Sequence, residues 1–123
     1  MPKKVAIKWS KSPNKHNYPA ALSYLSLFFD EKTAATYVRK LKRAVQSEFK
    51  AKDIFRASAL SLLGVSNGHV DRYRQRIKAG QALSPVLLVR DAATRRVIVA
   101  DGYHRLCAVY SYDEDAVIPC RIV

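Results

Sequence analysis

The chain has 123 residues, of which 49% are apolar and 26% charged, with a formal net charge of +12. That length suits one domain with a single core, and that apolar content excludes a disordered polyelectrolyte. No apolar run approaches a membrane span, Lys3, Lys4 and Lys8 flank no apolar leader segment, and two cysteines make no disulfide framework, so a cytoplasmic protein without a membrane partner is expected.

The positive excess is uneven. Lys and Arg outnumber Asp and Glu by 11 to 3 over residues 1–50 and by 9 to 3 over residues 51–100, whereas residues 101–123 hold 2 against 4. Such an excess either solvates a surface or meets a polyanion such as nucleic acid.

Residues 1–17, rich in Lys, Ser, Pro and Asn, read as an irregular basic arm in which Trp9 alone would seek a surface to cover. Residues 18–123 read as one domain: a helical N-terminal extension over 18–50 and a core over 52–123. Tyr18 to Phe29 predicts a helix with Leu22, Leu25 and Phe29 at helical spacing and Tyr24, Leu27 and Phe28 off that stripe. A helix apolar on two sides is either core or a contact surface, and a homodimer through residues 18–29 is the second reading. Asp30 is a good N-cap for a helix from Glu31 to Val45. Ala34, Val38, Leu41 and Val45 share its apolar stripe, and Lys32, Arg39, Lys40, Lys42 and Arg43 fan over the rest. Those basic residues form a solvated face or a phosphate-backbone contact; in the second case Arg39, Lys40, Lys42 and Arg43 are the candidate nucleic-acid-binding residues.

Gln46 to Asp53 reads as a polar connection. Ile54 to Leu63 predicts a third helix ending at Gly64, and Ser66 a cap for a fourth in which Val70, Tyr73 and Ile77 share a stripe. His69, in an Asn-Gly-His turn without a ligand-spaced partner, reads as an ordinary turn residue, and His16 likewise as plain loop. Pro85 opens a strand; Val86 to Arg90 and Arg96 to Ala100 pair as a hairpin across Asp91 to Arg95. Val117 to Val123 closes the sheet. The expected fold is α+β: helices first, then a small mixed β-sheet with a helix across it.

The stretch with chemical content is Val97 to Tyr110, VIVADGYHRLCAVY. A β-branched strand stops at Asp101 and Gly102, and a helix starts at once. Strand, glycine turn and helix build an anion site, because the first amides of the helix have no intrahelical acceptor and the dipole is positive there. Gly102 would let a ligand approach the backbone. Arg105 would add a forked contact to phosphate. Asp101 either caps the helix or holds a metal ion, and His104 stands beside it as an acid/base group.

Gly102-x-x-Arg105-x-x-Ala108 resembles the phosphate-binding signature of the ParB/sulfiredoxin superfamily. The Pro-led strand Leu83 to Val89 and the closing run Ile118 to Val123 are similar to the segments flanking that signature, so the resemblance spans residues 52–123. It implies a phosphate-bearing ligand at the Gly102, Tyr103 and Arg105 turn, such as a nucleoside triphosphate with Mg²⁺ at Asp101, with Asp101, His104 and Arg105 as the catalytic set of a phosphotransferase, nucleoside triphosphatase or nuclease. Sulfiredoxins carry a Cys where this chain has Tyr103, so reductase chemistry is not expected, and Cys107 and Cys120 read as buried core residues. ParB proteins add a helix-turn-helix segment that this sequence lacks, so any nucleic-acid contact is expected to be weakly sequence-specific. Two rivals stand beside this one: an interaction domain on the same scaffold without catalysis, and a small-molecule phosphotransferase.

Overall fold

The computed structural model describes residues 6–123; Lys3 and Lys4 lie outside the described residues. Five helices and four strands follow in the order α1 (Asn17–Leu25), α2 (Glu31–Arg43), β1 (Gln46–Lys50), α3 (Ala51–Ser58), α4 (Gly68–Lys78), β2 (Val86–Asp91), β3 (Arg96–Asp101), α5 (Tyr103–Tyr112) and β4 (Val117–Ile122). This is a small α+β fold with a mixed sheet.

The strands lie in the order β1-β4-β2-β3. The β2–β3 hairpin and the β1–β4 pair are antiparallel, and the two halves join by a parallel β2–β4 ladder. That ladder matches Val86–Leu88 to Cys120–Ile122, one residue past Pro85 and Pro119. Neither proline is therefore asked for an amide in that parallel ladder.

The sheet is covered on both faces, which is why Val86 to Val89 is a continuous buried run instead of an alternating one. Side chains of Val86, Leu88 and Val99 meet α3, α4 and α5 through Ile54, Val70, Ile77, Leu106 and Val109. Leu87, Val89, Ile98 and Ala100 meet α1 and α2 through Ala21, Leu25, Ala34, Val38 and Leu41. The N-terminal helices thus supply one wall of the core.

The stripe expected on α2 is buried at Ala34, Val38 and Leu41, and Asp30 caps the helix by accepting from the Thr33 amide at 2.7 Å. Val45 departs from it: the helix ends at Arg43, Ala44 turns extended, and Val45 is 82% exposed. The cause is Arg121 on β4, whose Nη1 donates to the Lys42 carbonyl at 2.8 Å and satisfies the open end of the helix. Arg39, Lys40, Lys42 and Arg43 are all exposed.

Four other boundaries differ from expectation. The first helix, expected to reach Phe29, ends at Leu25, and Ser26 to Phe29 form turns whose amides donate back to the carbonyls of Leu22, Tyr24 and Leu25. The Gln46–Asp53 connection is instead strand β1 and the start of α3. β1 is an edge strand with four of five residues exposed, so its sequence carries no alternation; pairing with β4 makes it a strand. The third helix runs Ala51–Ser58 and stops at Ala59, which is left-handed (φ 55°). Leu60 and Leu63, expected on that helix, lie in the following loop and pack against the core instead. The cap of α4 is Asn67, not Ser66, and its Oδ1 accepts from the amides of His69 at 3.0 Å and Val70 at 3.2 Å. Upstream, Trp9 pairs with Leu83 as a parallel bridge, which fastens residues 8–10 to the strand entrance.

Both cysteines are free and buried. Burial pushes the Cys107 thiol up, and pushes that of Cys120 up to about 11. Native protein should therefore react slowly with a thiol-specific disulfide reagent and release both equivalents quickly only in denaturant. Stoichiometric labelling of Cys107 before unfolding would contradict this placement. Among the described residues, no helix is long and apolar enough to cross a membrane.

Candidate functional site

The turn between β3 and α5 is built around Gly102, which is left-handed at φ 109°. A Cβ placed there would lie 2.3 Å from Val86 Cγ1 and 2.9 Å from Arg105 Nη2. The close approach that demands glycine is thus made by the protein's own β2, on the inner side of the turn.

Arg105 explains that inner side. It is 5% exposed, and its guanidinium points back toward the helix start. Nε donates to the Ser84 carbonyl at 3.0 Å, and Nη2 donates to the Pro85 carbonyl at 3.3 Å and to Asp101 Oδ2 at 2.9 Å. Its charged partner is Asp101. One side chain therefore ties together the entrance of β2, the end of β3 and the first turn of α5. Buried ion pairs persist where further hydrogen bonds complete them, and the two carbonyls do that here. Asp101 closes β3 and is not the cap of α5; the N-cap position belongs to Gly102, and no side chain accepts from the first turn. The leading amides of α5 are thus left without an intrahelical or capping acceptor.

A cleft of about 550 Å³ opens at this helix end, lined by Tyr24, Leu60, Ser61, Gly102, Tyr103 and His104 among others. The 59–67 loop forms one wall. It is latched by Tyr103, whose hydroxyl donates to the Ser61 carbonyl. Burial raises the Tyr103 phenol above its ordinary value, with Cys107 adding to the effect, so the latch stays protonated across the physiological range. A second hollow of about 230 Å³ lies between α3 and the sheet, walled by Ile54, Leu88, Val97 and Ile122, with Asp53 and Arg90 also lining it.

His104 lines the cleft, and its ring centre is 4.8 Å from that of His69 and 5.4 Å from that of Tyr103. Desolvation, and secondarily the charge on His69, hold His104 below the ordinary imidazole range. The sign follows from linkage. A histidine whose folded value is depressed favours the folded state when neutral, so this contribution is fully present above the ordinary value and is lost as pH falls from there through the depressed folded value. His69 was not legible as a site residue, because 35 positions separate it from His104 and only the packing of α4 beside α5 joins them.

Chain comparisons give no match. No family model, curated protein or solved structure matched this chain.

The chemistry open to the turn follows from these placements. The amides of Tyr103, His104 and Arg105 begin a ten-residue helix and favour an anion in front of them. A divalent cation fits poorly. The one carboxylate at the turn is held by Arg105, and among the described residues no three His, Cys, Asp or Glu side chains gather as a ligand set. The expected catalytic trio is divided: Asp101 and His104 both line the cleft, but the Asp101 carboxylate is paired with Arg105, which lies behind it and does not reach the cleft.

Proposed function

We propose that this domain binds a phosphate-bearing ligand in the cleft at the N-terminus of α5, on a ParB/sulfiredoxin-like scaffold. The observation that supports this is the meeting of an uncapped helix N-terminus with a cleft of mononucleotide size. In this reading Gly102 and Tyr103 bring backbone amides to the phosphate, and His104 contacts it. Asp101 and Arg105 act by positioning, since their pair holds the turn in shape. Binding is favoured over turnover, because nuclease and phosphotransferase chemistry would need Asp101 free for a metal ion. Calorimetric titration of the chain with ATP and CTP tests it: saturable heat is expected, with the competition of each by inorganic phosphate. Absence of heat at millimolar nucleotide would sink the reading and leave a non-catalytic interaction domain ahead.

A nucleic-acid partner is favoured by a separate observation, the exposed basic face of α2. Arg39, Lys40, Lys42 and Arg43 are all exposed and, among the described residues, none sits in an ion pair. Replacing Arg39 and Arg43 with Ala should lower the slope of log affinity against log salt for a short DNA duplex by about 1.8, two phosphate contacts at ~0.9 each. An unaltered slope, or no duplex binding at low salt, would leave the face as solvated surface.

A further inference from the structure

Two helices present a histidine in their first turn at the same place. His69 is the second residue of α4 and His104 the second of α5, and their rings lie 4.8 Å apart at an angle of 41°. His69 is exposed, beside the cleft that His104 lines. The end of α4 is already capped by Asn67, whereas the end of α5 has no capping side chain. The uncapped dipole end therefore has two imidazoles next to it.

The surrounding charges leave that pair in control. Asp101 lines the cleft, but its carboxylate is paired with the buried Arg105, so the two charges neutralise each other. Tyr103 is held by the Ser61 carbonyl, and α1 and the 59–67 loop bring Tyr24, Leu60 and Ser61, none of them charged at neutral pH. Asp71 and Arg72, of opposite sign, follow His69 on α4. The one charge that bears on His104 is His69. Two imidazolium rings this close repel, and with desolvation this holds the proton off His104 while the cleft is empty of ligand. A dianion alongside reverses that balance. A phosphate monoester carries about −1.5 to −2 at neutral pH, whereas a phosphodiester carries roughly one charge per phosphate.

We propose that His69 and His104 together select the ligand of the α5 cleft, taking a terminal phosphate monoester in preference to a phosphodiester, with a proton drawn from solvent onto the pair as the ligand binds. This rests on the phosphate-binding reading above and narrows its substrate class. His69 is then a binding residue of the cleft, and the proton taken up places positive charge on the imidazoles where the ligand is negative.

The test is an NMR titration of the chain at pH 5.5, 6.5 and 7.5, read on amide and histidine ring shifts. The probes are adenosine 5′-monophosphate, its 5′-methyl ester and inorganic sulfate; sulfate keeps its charge over this range, so its pH dependence reports the protein. The monophosphate should bind about tenfold more tightly than its ester at pH 6.5, and sulfate affinity should rise by up to about tenfold per pH unit on acidification, the limit for one linked proton. His69→Asn should keep the wild-type amide spectrum, lose most of that preference and flatten the pH slope. Equal affinity for monophosphate and ester, or a His69→Asn variant that keeps the slope, would overturn the inference while the anion cleft stands. No shift with any probe at any pH would overturn the cleft itself, and the inference with it.

Discussion

Gly102→Val is expected to remove a large share of the folding stability, not merely to disarm the cleft. The residue sits at φ 109°, where a side chain is strained, and the new Cβ would fall 2.3 Å from Val86 Cγ1. Val86 is fully buried in the middle of the core, so it has nowhere to retreat. Left-handed strain costs about 1–3 kcal/mol and overpacking a further ~1–3 kcal/mol, against a total stability of order 5–15 kcal/mol. Gly102→Ala carries the same Cβ and should show most of the loss. Urea unfolding followed by circular dichroism measures both; an alanine variant that melts with the wild type would show that neither the positive φ nor the contact with Val86 constrains the turn.

Asp101→Asn should be costly as well, although asparagine is nearly isosteric. It leaves the Arg105 guanidinium buried, with the Ser84 and Pro85 carbonyls as acceptors and no counter-charge. Breaking one side of a buried pair costs about 3–5 kcal/mol, and asparagine should fall toward the lower end because it can still accept a hydrogen bond. Arg105→Met strands the carboxylate in the same way. The double variant should be less damaging than the two singles added together, and that non-additivity distinguishes an interacting pair from two independent sites. A near-neutral Asp101→Asn would mean that the carboxylate does not hold the guanidinium.

Much of the site was legible locally. A β-branched run, a glycine and a helix-forming stretch specify the turn through short-range chemistry, and the Asp30 cap and the α2 stripe are equally local. The direction of Arg105 was legible in part: Asp101 precedes it by four residues, and a helical arginine leans toward its own N-terminus. What the sequence concealed depends on distant partners. β1 is a strand because β4 lies beside it. Val45 is exposed because Arg121, 76 positions later, ends α2 before it. Leu60 and Leu63 continue an apolar pattern that reads as helix, yet the chain turns away at Ala59. His69 gains significance only where α4 lies against α5.

The position of β4 between β1 and β2 also sets the order in which the domain can assemble. During synthesis the β2–β3 hairpin can close as soon as it emerges, being local. β1, made some 70 residues before its partner, has no neighbour until Val117 to Ile122 leaves the ribosome. Until then the edge of β2 that β4 will cover stays unpaired, with the apolar Val86, Leu87 and Leu88 along it. Non-local pairing of this kind slows folding and lengthens the time that such an edge is open to other chains. A ribosome stalled before Val117 would therefore hold a nascent chain prone to aggregate, and a chaperone that shields extended apolar segments would find its target at Val86 to Leu88.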